Sequence, residues 1–395
     1  MESRTHVAGV NLEEFQMKPE NSSESENYHN GLYQSLRRDD KALWELIENE
    51  FARQRSTLQL IAAENQCSRA VLGALGSIVQ NKTAEGFPGF RYHGGCNVID
   101  GVETLACERA REAFNAHYAN VQPHSGTQAN QIVLTAILEK GDRILSLGTD
   151  QGGHPSHGAD VSFAGKFFET KHYNVDPETL LLDYDRIEEL ARDFRPELII
   201  CGATSYSRKI DFARFRQIAD EVGAWLMADV SHIAGLIAAG AHPCCVDQAH
   251  FTTTSTYKPG GPRGGLILMG SDMETTVRKN GTEMPVWKLI ENTTFPGVQG
   301  TPYLNNIAAK ATFFNEMLNK EYSERQFAII ANARRLAEKM AELGYDVLTG
   351  GTDNHMVLVN LSSFRAELTG LVAQRCLEDC GIVINMIHLP CDKRN

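Results

Sequence analysis

Nowhere does the sequence run to the ~18 consecutive apolar residues that a membrane-spanning helix requires. The N-terminus, MESRTHVAGVNLEEFQ, has no apolar signal core and is not the Arg-rich, acid-poor kind of transit peptide. These absences predict a cytoplasmic protein without a membrane partner. Basic excess is lacking too: 38 Lys and Arg stand against 50 Asp and Glu, a net charge of -12. Such a balance argues against a nucleic-acid-binding surface. Paired cysteine spacing is also missing. The nine cysteines include neighbours at Cys244 and Cys245 and a pair four apart at Cys376 and Cys380, but no CxxC. That pattern predicts reduced thiols and no metal site. Internal repeats are absent.

What is present is ordinary globular material, 395 residues with 42% hydrophobic and 22% charged. That suffices for one large domain and a smaller one. Residues 1 to about 38 are polar and rich in Asn, Ser and Glu, which predicts a flexible arm. Asp39 and Asp40 then cap a helix with Leu43, Ile47 and Phe51 on one face, so 1–56 reads as N-terminal arm and helix. Over 57–315, short apolar runs (143–148, 197–202, 224–229, 264–270) alternate with amphipathic segments (183–194, 213–223). The alternation predicts an α/β fold, a mostly parallel central sheet with helices on both faces. Its ligands belong beyond the carboxyl ends of the strands. Over 316–395 a long helix ends at Gly344, followed by candidate strands in YDVLTGG and HMVLVNL and a helix in LTGLVAQRCLEDCG. This predicts a smaller C-terminal α+β domain.

Three elements carry chemistry. Ser125-Gly126-Thr127 precede a helix with apolar positions Ala129, Ile132, Val133, Ala136 and Ile137. A small-residue turn there offers free N–H groups and hydroxyls to an anion, though taken alone an ordinary N-cap is the better explanation. Asp229 ends the apolar run AWLMAD, with His232 three residues on. A carboxylate there reaches the ligand edge of the sheet, or caps the next turn. Lys258 lies among small hydroxyl residues just before glycines, 29 residues beyond Asp229. A lysine nucleophile must lose its proton, which partial burial near cations favours. Taken in order and spacing, the three are the layout of fold-type I pyridoxal-5′-phosphate (PLP) enzymes.

The resemblance is closer still. LIAAEN (60–65), NKTAEGFPGFRYHGG (81–95), YANVQPHSGTQAN (118–130), GGHPSHG (152–158), ADVSHIAGLIAAG (228–240), TTTSTYKPGGPRGGLIL (252–268), FPGVQGTP (295–302) and GGTDNH (350–355) resemble serine hydroxymethyltransferase. The resemblance implies that Lys258 carries PLP as a Schiff base and that Asp229 pairs the pyridine nitrogen. His154 would stack on the ring, and Thr204 and His232 would contact its hydroxyl region. Ser125, Gly126 and Thr127 would hold the phosphate, helped by Gly300 of a partner subunit. Ser255 and Tyr257, beside the lysine, would also bind the cofactor. Glu85 would be the acid/base carboxylate, with Tyr92 and Arg263 on the substrate side. It further implies a homodimer or homotetramer with shared active sites, acting on a small amino acid and an aldehyde.

Against the family pattern, Thr83 and His93 stand where tyrosines are usual, Tyr257 replaces a histidine, Thr301 replaces a glycine, and Pro259-Gly260 shorten a loop. In the folate pocket, Thr149 and Pro155 replace leucines and Ile387 an asparagine. The chain ends at LPCDKRN, before the segment in which the family carries a carboxylate-clamping arginine. These departures predict weak or no tetrahydrofolate binding. The expected activity is aldol or retro-aldol chemistry at Cα–Cβ of a β-hydroxy-α-amino acid, of the threonine aldolase or transaldolase type. The alternatives are a folate-dependent serine or α-methylserine hydroxymethyltransferase, another PLP reaction (racemase, transaminase, decarboxylase), and a non-catalytic paralogue.

Overall fold

Seven strands form the main sheet: β1 (Tyr118–Asn120), β2 (Arg143–Leu147), β3 (Glu169–Tyr173), β4 (Leu198–Cys201), β5 (Trp225–Asp229), β6 (Phe251–Ser255) and β7 (Gly265–Met269). The computed structural model describes residues 31–390 except Asn280 and Ala366. The strand order is β1-β7-β6-β5-β4-β2-β3. Only β7 runs against the rest. All four predicted strands are present to within a residue. Their apolar runs are continuous because both faces are covered, and Ile144, Leu145, Leu198, Ile199 and Leu226 are fully buried.

The sequence reading missed β1, β3 and β6. The residues of β6, FTTTS, look like loop, yet every one is buried. Threonine is β-branched and suits a strand once its hydroxyl is bonded. Thr253 Oγ1 donates to Asn130 Oδ1 at 2.6 Å, and Thr254 Oγ1 to Ser255 O at 2.8 Å. β3 is an edge strand with alternating exposure.

Seven helices matter for the site and its frame: α1 (Asn97–Phe114), α2 (Gly126–Ile137), α3 (Tyr184–Phe194), α4 (Phe212–Val222), α5 (Leu304–Met317), α6 (Lys320–Glu342) and α7 (Gly370–Asp379). Asp183 and Asp211 cap α3 and α4 through the N–H groups of Arg186 and Arg214. Cores lie on both sheet faces, one containing Phe215, Phe313 and Phe314, the other Ile132, Val133 and Ile290.

At the N-terminus, residues 1–30 of the expected arm lie outside the described residues. Leu32–Asp39 is a helix, not arm; Arg37 and Arg38 sit in its last turn, where they complement the helix dipole. The helix predicted after Asp40 spans Lys41–Ser56, with Asp40 accepting from Leu43 N as expected. Its apolar face is left largely uncovered by the described residues: Leu43 is 44% exposed and Phe51 59%. At the C-terminus, α6 and α7 match expectation, but the two candidate strands shrink to Asp346–Val347 paired with Val359–Asn360. Leu58–Gln59 pairs in parallel with Ile382–Val383. Among the described residues no helix is long and apolar enough to cross a membrane.

Topology fixes the site. Asp229 is the last residue of β5 and Ser255 the last of β6. Because β7 runs the other way, Arg263 and Gly264, just before its first residue, arrive at that same edge.

Candidate active site

Ten of the predicted residues line one cavity at the carboxyl edge: Ser125, Gly126, Thr127, His154, Thr204, Asp229, His232, Ser255, Tyr257 and Lys258. Ser125 is the N-cap of α2, accepting from Gln128 N at 3.1 Å, so the turn predicted to bind an anion is also the helix cap. Gly126 brings the turn close to β6, since a Cβ there would lie a tight 3.1 Å from Ser255 N.

Asp229 is the electrostatic centre. Its Oδ1 accepts from Ser231 N at 3.0 Å and Ser231 Oγ at 2.6 Å. Its Oδ2 accepts from Asn130 Nδ2 at 2.8 Å and His157 Nε2 at 3.0 Å. Burial opposes ionisation, but the hydrogen bonds from His157, Asn130 and Ser231 outweigh it and hold the carboxyl well below the usual carboxylate range. Asn130 spends its second N–H on Ser156 Oγ at 3.0 Å. Ser156 N and Oγ both contact His154 Nδ1, at 3.2 and 2.8 Å. An accepting Nδ1 leaves the His154 proton on Nε2. The His154 ring is thereby fixed through the same side chain that fixes Asp229.

Lys258 Nζ donates to Ser255 Oγ at 3.1 Å and lies 4.9 Å from the Tyr257 ring centroid. Arg263 covers the same ring at 3.9 Å, so it sits beside the lysine without lining the cavity. His232 is pushed well below its usual pKa by burial and by Lys258, and its Nδ1 is buried without a partner. The ring of His355 stacks parallel to it at 6.0 Å.

The residues the sequence reading missed are Asn130, Ser156, His157, Ser231 and Thr253. Asn130 lies one turn into α2 beyond the cradle and His157 three residues after His154, so both sat inside quoted motifs. Their partner across the sheet was not legible.

Glu85, Tyr92 and Gly300 do not line this cavity in one protomer. They form a second group. Glu85 Oε1 accepts from Thr301 Oγ1 at 3.3 Å and would touch a Cβ on Gly300 at 3.4 Å. Tyr92 N donates to Glu85 O, and its ring meets Phe295 edge-on at 5.3 Å. Arg91 braces this hairpin, bonding Asp100 at 2.8 Å, Glu103 at 2.6 Å and the carbonyls of Ala84 and Gly86. Tyr92 is 77% exposed and Phe90 79%.

The cavity fits PLP. A Cβ-free N–H turn suits the phosphate, a buried carboxylate suits a protonated ring nitrogen, an unpartnered imidazole nitrogen is buried at His232, and Lys258 has donors to spare. A family profile described as serine hydroxymethyltransferase matches residues 36–395. The serine hydroxymethyltransferase of Borreliella burgdorferi is 48% identical over 359 residues, 91% of this chain and 85% of the relative. That of Borrelia hermsii is 46% identical over 357 residues, 90% of this chain and 85% of the relative. That of Rickettsia typhi is 50% identical over 354 residues, 89% and 81%. With its sheet order, its cradle and this similarity along nine-tenths of its length, the chain belongs to the serine hydroxymethyltransferase family of fold-type I PLP enzymes.

Proposed function

We propose that this protein is a serine hydroxymethyltransferase that uses tetrahydrofolate as one-carbon acceptor and works as a dimer with shared sites. The observation that carries the reading is the convergence of Lys258, Asp229 and the Ser125–Thr127 turn in one cavity. Near-50% identity to proteins of that name supports it over the threonine aldolase or transaldolase expectation. The substitutions at Thr149, Pro155 and Ile387 had argued against folate, but the comparisons give that doubt no support. Pro155 and Val161 stand with Leu134 and Phe163 around an apolar pocket that shares Thr127 and His154 with the main cavity. Apolar lining therefore persists beside the cofactor site without the two leucines.

The residues divide the labour. With PLP bound, Ser125, Gly126 and Thr127 would hold its phosphate, and Lys258 would carry it covalently beside Ser255 and Tyr257. His154 would cover one ring face, and Thr204 and His232 would approach the ring hydroxyl. Asp229 would keep a proton on the ring nitrogen. Bound PLP supplies an electron sink for the charge left on Cα when Cα–Cβ opens. Glu85 takes the proton of the substrate hydroxyl. Tyr92 and Arg263 hold substrate. Because Glu85, Tyr92 and Gly300 lie apart from the cavity within one chain, they serve the site of a partner subunit. The unpacked face of Lys41–Ser56 and the exposed Phe90 and Tyr92 support such an interface.

Asp229→Asn removes the charge that holds the ring proton while keeping size and one acceptor. Its turnover of serine is expected to fall on the order of 10²-fold or more, with cofactor still bound. A near-wild-type rate at full PLP occupancy would show that another group protonates the ring.

Sharing of sites is tested by mixing inactive chains. Lys258→Ala and Glu85→Gln, co-expressed, form heterodimers in which one site keeps both residues. Activity should return to about a quarter of wild type, the statistical share of intact sites in a random twofold dimer. A mixture as inactive as its parents contradicts the shared site.

Serine cleavage should depend on tetrahydrofolate, and in the presence of glycine 5-formyltetrahydrofolate should bind with a dissociation constant on the order of micromolar, about -8 kcal/mol. Rapid threonine cleavage, with no calorimetric signal for the folate, would restore the aldolase reading.

A further inference from the structure

Helix α5 sends one lysine into the core. Lys310 is 1% exposed. Its Nζ donates to three backbone carbonyls: Val121 at 2.6 Å, Gly265 at 2.8 Å and Pro123 at 3.1 Å. Three acceptors match the full donor set of an ammonium. A neutral amine has two donors and a lone pair, and would leave the third carbonyl facing that lone pair in a buried site.

The three carbonyls belong to the segments that shape the phosphate-binding turn. Val121 and Pro123 lead out of β1 into Ser125, and Gly265 opens β7 beneath it. Gly265 N donates back to Pro123 O at 2.9 Å. A Cβ on Gly265 would lie 2.2 Å from Ser125 O, and one on Gly264 2.4 Å from Lys310 Cε. Two glycines therefore clear space for the turn and for the lysine stem.

We propose that Lys310 is a positioning residue for this turn: its charged amine locks residues 121–125 against β7 and so aims the Ser125–Thr127 donors at the cofactor phosphate. The inference rests on the cradle role proposed above for those three residues.

Burial pushes the Lys310 pKa down to about 7, while Cys107 and Glu103 on α1 pull it up. His124, in the turn itself, is held low by burial and by Lys310. Glu103 also bonds Arg91 and Gln122, and Arg109 of α1 bonds Ala311 O on α5. The sign follows. An unfolded lysine keeps its proton to about pH 10.4, so above about 7 the folded chain binds fewer protons than the unfolded one. This group's contribution to fold stability therefore rises with pH across that window. Its hold on the three carbonyls, and through them on the turn, falls over the same window. A purely structural role would not separate the two trends.

The test is cofactor release from the holoenzyme after dilution, followed by the cofactor's visible absorption between about pH 6 and pH 9. Lys310→Met should release PLP on the order of 10-fold faster than wild type at the acid end, as expected for one charge-assisted network, with the ratio shrinking toward one at the alkaline end. A ratio that is flat with pH, or equal to one throughout, overturns the proposal. If Lys310→Met does not fold, Lys310→Arg decides: its permanent charge should keep release flat where wild type accelerates, and a rise in parallel with wild type overturns the proposal. Ser125→Ala should release faster at every pH. Release like wild type from that variant would instead remove the cradle assignment, and this inference with it.

Discussion

The site depends on keeping one buried carboxylate ionised. Asp229 is 8% exposed, and among the described residues no arginine or lysine bonds it. An isolated carboxylate in such a place would take up a proton. Four donors prevent it, and they come from three parts of the chain: Asn130 from α2, His157 from the loop after β2, and Ser231 from the turn after β5. The sheet order brings these together, because β5 lies between β6 and β4 with β2 next. Asn130 then links outward to Thr253 on β6 and, through Ser156, to His154. Asp229, His154 and helix α2 are thus one hydrogen-bonded unit. A change in any member is felt by the others.

The frame was legible because it obeys simple periods. The runs at 143–148, 197–202, 224–229 and 264–270 are apolar throughout, as fully covered strands must be, and the helices between them carry clear caps. β6 was not legible, because a run of threonines has the composition of a loop until its hydroxyls find partners across the core. The helix at Leu32–Asp39 was hidden in a polar stretch too short to show a period. Lys258, Asp229 and the Ser125–Thr127 turn stood out through spacing and resemblance. Asn130 and Ser231 did not, since a polar residue declares a role only when its partner 99 or 2 positions away is in place.

Tyr257, next to the lysine, has Arg263 at 3.9 Å and Lys258 Nζ at 4.9 Å from its ring centroid, so its aromatic surface gathers both basic side chains beside the cavity. Thr301 beside Gly300 gives Glu85 a hydroxyl partner in the same chain.

The central claim is that Lys258 is the residue that carries the cofactor. Borohydride reduction of the PLP-loaded protein, followed by peptide mapping, tests it most directly. The account predicts loss of the visible absorption and one pyridoxyl label, on Lys258. A label on another lysine, or none at saturating PLP, would contradict it.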